Sequence, residues 1–201
     1  MKRSRSKRRP PRQERRTILL VTNGQVTEKT YLDDLKQRVD RKRFSLTTRF
    51  IPGEPQTVLE ELDRSDISAF AEVWIIIDHD GVDRSSIITR CRQLCTKRTT
   101  VTPVISVPCF EVWLNAHYAP VRHYTDQKDA QRHYLTLTGL SAQDAKKLAG
   151  SFPWENAAIA AQQCHLPDAE LPQKGSQGSS PSTTMPHLLH SLGLLETKDL
   201  H

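Results

Sequence analysis

Residues 72–81 read EVWIIIDHDG. The run after Glu72 is β-branched and aromatic with no polar alternation, which predicts a strand covered on both faces, as at the centre of a parallel sheet. It stops abruptly at Asp78, His79, Asp80 and Gly81. A central strand of an open α/β sheet delivers polar groups at its carboxyl edge in this way, and that edge is where such sheets place their ligands.

The flanking sequence repeats the same grammar. Upstream, residues 17–22 (TILLVT) predict a buried strand breaking at Asn23-Gly24, and Tyr31, Leu32, Leu35 and Val39 then recur at helical spacing behind Thr27, which reads as an N-cap. Residues 44–51 predict a strand closed by Pro52-Gly53, and residues 57–62 begin a helix. Downstream, residues 85–96 predict a helix, residues 100–106 a strand ending before Pro108, and residues 109–118 (CFEVWLNAHY) the start of another helix. Strands alternating with helices predict an α/β, Rossmann-like, mainly parallel sheet flanked by helices. Residues 17–120 form the core of this reading, residues 121–166 a helical part, residues 167–181 a mobile Gly-, Ser-, Pro- and Gln-rich loop, and residues 182–201 a terminal helix. At 201 residues, one domain is the expectation.

The formal charge of +6 is unevenly spread. Residues 1–16 hold nine Lys or Arg against one acid, Glu14, and read as a disordered basic arm, either a solubilising tail or a nucleic-acid contact. The rest carries 20 basic and 22 acidic residues, a net of −2, so the body has no general excess of positive charge to hold a phosphate backbone. No apolar run reaches the roughly 18 residues needed to cross a bilayer. Cys91, Cys95, Cys109 and Cys164 lack C-x-x-C spacing, and core packing is expected for the Cys91/Cys95 pair. These features predict a soluble, cytoplasmic protein without a membrane partner. Neither a P-loop nor a dinucleotide fingerprint is present, and Cys164, His165, His187 and His190 are too dispersed to predict a zinc site.

Acidic residues fall at the ends of the apolar strands. In an extended strand end, alternate residues point the same way, so Asp78 and Asp80 can aim two carboxylates at one hard cation while His79 faces elsewhere. By itself D-x-D is a weak motif, since Asp and Gly also simply end strands. Glu111, set between Phe110 and Trp113, suggests a buried carboxylate with a partner or metal. His117 suggests a phosphate-orienting or proton-shuttling group, although packing is the commoner fate of a lone His. Trp74, Trp113 and Trp154 are assigned to packing.

Taken in order, the segments NGQVTE followed by Tyr31, then DHD, then SVPCFEVWLNAH, then Pro181, Ser182 and Thr183 resemble the RloB-like family. Its members have a basic start, an EGxxTE strand end before an aromatic, a D-x-D strand end, an S-x-P-C-F-E-x-W-L segment with a following His, and a P-S-T motif before a terminal helix. The resemblance spans nearly the whole chain, and the PCFE segment is its most specific part. It implies a TOPRIM-like fold, similar to that of OLD-type nucleases. One Glu and a D-x-D pair there organise Mg2+ (or Mn2+) for nuclease or phosphoryl-transfer chemistry on DNA or RNA. It also implies a phage-defence or restriction-associated setting and a companion ATPase.

Carried over by residue, the resemblance makes Glu28, Asp78, Asp80 and Glu111 the metal-ligand candidates. Asn23 and His117 join them in the catalytic set. The chain departs from the family at Asn23, where the motif has its first Glu. An Asn side chain offers a neutral oxygen but accepts no proton near neutral pH. Two readings stand side by side: another carboxylate such as Glu28 has assumed the role, or the chain is a catalytically impaired nucleic-acid, partner-binding or sensor module.

Overall fold

The structure is a computed structural model, and it describes residues 14–144 and 147–200. The chain runs β1 (Arg16–Thr22), α1 (Thr27–Arg38), β2 (Phe44–Phe50), α2 (Pro55–Arg64), β3 (Glu72–Asp78), α3 (Ser85–Leu94), β4 (Thr100–Val107) and α4 (Glu111–Ala116). It continues with α5 (Gln127–Thr138), α6 (Ala157–Gln163), a two-residue strand β5 (Ser182–Thr183) and α7 (Met185–Ser191). The strands form one sheet in the order β2-β1-β3-β4-β5. The first four are parallel, and β5 joins β4 antiparallel. This is an α/β, Rossmann-like architecture.

Period-two alternation along each strand sends side chains to two different cores. Ile18, Leu20, Trp74, Ile76 and Val104 pack with Tyr31, Leu32 and Leu35 of α1 and with α4, α5, α6 and α7. Leu19, Val21, Val73, Ile75, Ile77, Val101 and Ile105 meet Val58, Leu59 and Leu62 of α2 and Ile87, Ile88 and Cys91 of α3 on the other face. Residues 73–77 are at most 2% exposed. Each such side chain contributes roughly 1.5–3 kcal/mol on burial, so a charge at Ile75 would break the sheet at its centre.

Several details differ from the reading of the sequence. Thr27 is the first residue of α1 rather than its cap; Val26 takes the cap position and no side chain caps that end. The terminal segment is shared between β5, the seven-residue α7 and a 3-10 turn at Thr197–Leu200, because Ser182 and Thr183 are drawn into the sheet. Residues 167–181 carry no helix or strand, but Gln177 accepts from the Arg84 N–H at 2.8 Å and His187 Nε2 lies 2.8 Å from the Pro172 carbonyl. Cys95 is exposed beyond the end of α3, whereas Cys91 is buried; all four thiols are free. Trp74 and Trp113 are core residues, and Trp154 stacks on Tyr31 at 4.6 Å. Of the basic arm expected over residues 1–16, residues 1–13 lie outside the described residues. No helix among the described residues is long and apolar enough to cross a membrane.

Candidate functional site

The sheet order reverses between β1 and β3, and a crevice opens outside the carboxyl ends of strands at such a switch point. Three chain segments meet there: the turn after β1, the turn after β3, and the junction of β4 with α4. They bring five of the six residues singled out from the sequence to one edge.

Asp78 is the last residue of β3 and the centre of the group. Its Oδ1 is shielded from solvent and has no hydrogen-bond partner among the described residues. Burial pushes its carboxyl well above the usual carboxylate range, and Glu28, Glu111 and Asp80 push it further; only the Phe110 N–H opposes the rise. Three other acids are thus close enough to Asp78 to be felt as charge.

Glu28 lies in the first turn of α1, and its carboxylate folds back over Gly24. A Cβ on Gly24 would sit 2.0–2.2 Å from the three carboxylate atoms, so the absence of a side chain is what admits Glu28 to this position. Asn23 donates from Nδ2 to the Gly53 carbonyl at 3.0 Å, tying the turn after β1 to the turn after β2. Gly53 reaches that position with a φ of +114°.

Asp80 does not continue the strand. His79 and Asp80 donate their backbone N–H groups to the Ser106 and Pro108 carbonyls at 2.9 and 3.0 Å, and Asp80 then turns into the left-handed region with a φ of 54°. Asp is among the side chains that tolerate this conformation. The extended geometry expected of D-x-D is therefore replaced by a turn. The Asp80 carboxylate accepts from Gln127 Nε2 and lies 3.8 Å from the Arg84 guanidinium. Burial raises its pKa, Arg84 opposes the rise, and Glu54 adds to it.

Glu111 opens α4 and is 5% exposed. Burial raises its carboxyl, while contacts from Cys109, its own N–H and Gln131 hold it down. Cys109 is buried against it, and its thiol is pushed upward by burial and by Glu111 and Asp78. His79 is pushed below the usual imidazole range by burial and by Arg84.

His117 stands apart from this group. It caps the far end of α4, is 1% exposed, and packs between Trp113 and Phe152 at centroid distances of 4.5 Å. Nδ1 lies 2.9 Å from the Trp113 carbonyl, and burial lowers the ring's pKa to about 4. No carboxylate contributes to that shift, so the imidazole is a core group rather than a neighbour of the acids.

Arg84 is the main feature that motif reading missed. It is 6% exposed, donates from Nε to the Asp78 carbonyl at 3.0 Å, and reaches Asp80, so one buried guanidinium stitches the turn after β3 to its strand. A basic residue four positions after an acid in a turn carries no signal at sequence level; Gln127, 47 residues from Asp80, carries none either. Beside Asp80 a cavity of ≈ 460 Å³ opens between His79, Pro108, Tyr124, Gln127, Lys128 and Ser180.

Among the described residues, no three His, Cys, Asp or Glu side chains are grouped tightly enough to hold a metal ion between them. The donors near Asp78 are nevertheless hard carboxylate oxygens, and its unpartnered Oδ1 is the kind of atom a dication would satisfy. A family model described as RloB-like protein matches residues 18–192. No curated protein and no solved structure gives a match.

Proposed function

The chain belongs to the RloB-like family, and from that premise we propose that the crevice at the carboxyl ends of β1, β3 and β4 is a magnesium- or manganese-dependent site for phosphoryl transfer on nucleic acid, in the manner of a TOPRIM-like nuclease. The observation that carries this reading is Asp78: a shielded, unpartnered carboxylate oxygen in the field of three other acids, at the topological switch point. A fold alone does not select a reaction, and buried like charges without compensation are costly, so the cluster calls for a cation.

Asp78, Glu28 and Glu111 are the residues that would have to draw closer together to hold the ion, joined by Asp80 once it leaves Gln127. A bound dication would lower the pKa of a water and stabilise the charge that develops at a phosphodiester. The remaining residues have separable tasks. Arg84 fixes the turn that carries Asp80 and balances its charge. Asn23, with Nδ2 given to Gly53, retains a carbonyl oxygen to orient water or a phosphate but no group to accept a proton. The proposed setting, a prokaryotic defence system with a companion ATPase, rests on the family resemblance.

Asn23 also favours a second reading. Where the family motif has a carboxylate, this side chain is used as a loop tie, which suits a catalytically impaired binding or sensor module. Labelled single- and double-stranded DNA and RNA, incubated with Mg2+ or Mn2+, separate the two. Metal-dependent cleavage that disappears in Asp78→Asn supports the nuclease reading, and cleavage that survives that change refutes it. Cleavage only by Asn23→Glu replaces it with the impaired module.

A further inference from the structure

The opposite edge of the sheet carries a second charged feature of the other sign. Arg16 begins β1, Arg43 directly precedes β2, and Glu72 begins β3. At 3.3 Å per residue, the six steps of β3 put this edge about 20 Å from Asp78. A cavity of ≈ 490 Å³ lies here, lined by Arg16, Arg43, Lys174, His187, His190 and Glu14 among others. A smaller hollow of ≈ 240 Å³, lined by Arg15, Lys36 and Arg41, shares Phe44 with it. Glu14 is the one carboxylate that lines either hollow among the described residues.

Two lining residues, Arg16 and Ser191, are tied to a buried carboxylate outside the lining: Glu72, 3% exposed, accepts from Trp74 Nε1 and Ser191 Oγ at 2.8 Å each and pairs with Arg16. The Lys174 ammonium sits 4.6 Å from the Trp74 ring and the Arg43 guanidinium 5.2 Å from the Phe44 ring. Neither cation has a carboxylate partner within ion-pair distance among the described residues. His187 reports the local field, since Lys174 and His190 add to the effect of burial in lowering its pKa.

We infer that this amino-end edge is a second binding surface, and that its ligand is the phosphodiester backbone of a nucleic acid. Two adjoining hollows that share Phe44 and are lined by Arg15, Arg16, Lys36, Arg41, Arg43 and Lys174 spread positive charge along an edge instead of focusing it on a single phosphate. The large exposed apolar residues, Val26, Val82 and Ile159, line neither hollow, so the edge lacks the apolar anchor expected at the core of a protein interface. The inference shares with the proposed function only the class of ligand.

The test is nucleic-acid binding by the full chain in EDTA, followed by fluorescence anisotropy over a salt series with labelled single- and double-stranded oligonucleotides. Without metal, the outcome is independent of whether the acidic crevice is catalytic. Arg43→Ala with Lys174→Ala is expected to weaken binding at least about fivefold whatever the sequence, and to make the slope of log affinity against log salt shallower by about two. The charge-keeping pair Arg43→Lys with Lys174→Arg is expected to restore both, with thermal unfolding confirming that each variant folds. Unchanged affinity and slope in the alanine pair would overturn the inference. So would nucleic-acid binding that is unaffected while binding of pyrophosphate or of an acidic peptide is lost.

Discussion

Replacing Asp78 by Asn tests the electrostatic account of the site without cleavage chemistry. The Asp78 carboxyl is held well above its ordinary value by burial and by Glu28, Glu111 and Asp80, while its Oδ1 has no hydrogen bond among the described residues. An acid raised in the folded state binds its proton more tightly there than in the unfolded chain. Stability is therefore highest below the unfolded value of 3.8 and is lost as pH rises toward the folded value. Asn keeps an acceptor for the Phe110 N–H, removes the charge, and offers an N–H to the neighbouring acids. A buried group left unsatisfied costs about 1–3 kcal/mol, so Asp78→Asn is expected to stabilise the metal-free protein by about 2 kcal/mol at pH 8. For a chain of this length that is roughly 4–8 °C in Tm. Urea and thermal unfolding between pH 5 and 9 in EDTA would measure it, with the advantage shrinking toward acid. The order should invert with metal, because only the wild type gains RT ln(1 + [L]/Kd), about 2.7 kcal/mol at a hundredfold excess over Kd. A variant no more stable than wild type at pH 8, or one stabilised equally by Mg2+, would refute the argument.

Three further changes probe the neighbouring residues. His117, pushed by burial to about 4 from 6.5, is protonated in the unfolded chain first, so it costs stability as pH falls through that window; His117→Gln should remove about 3 kcal/mol of the loss between pH 7 and pH 4 in urea titrations, and leave any metal-dependent cleavage with the same pH profile. Gly24→Ala should change the unfolding free energy by less than about 1 kcal/mol, since the clashing atoms are the end of a flexible side chain, yet weaken Mg2+ binding measured by calorimetry at least about tenfold by displacing Glu28. Arg84→Met should cost roughly 2–3 kcal/mol by freeing the Asp78 carbonyl and leaving Asp80 uncompensated, as read by chemical denaturation.

What was legible in the sequence was the part governed by local pattern. The runs at 17–22, 72–77 and 100–106, rich in β-branched residues, read as strands, the one after Glu72 as covered on both faces, and the intervening helical periodicities leave a parallel α/β sheet as the consistent arrangement. Polar residues directly after those runs had to appear at the carboxyl edge, so Asn23, Asp78 and Asp80 share it because strand polarity dictates it. The direction of each side chain was another matter. Asp80 turns away by itself adopting a left-handed conformation, Glu28 reaches inward only because Gly24 has no Cβ, and His117 sinks into an aromatic core because α4 carries it about 1.7 turns from Glu111. The Gln127 contact to Asp80 and the basic edge formed by Arg16, Arg43 and Lys174 draw residues from segments far apart in the chain. Nothing local marks such partners, because charge and burial depend on which distant surfaces the fold presses together, and only packing in three dimensions sets that.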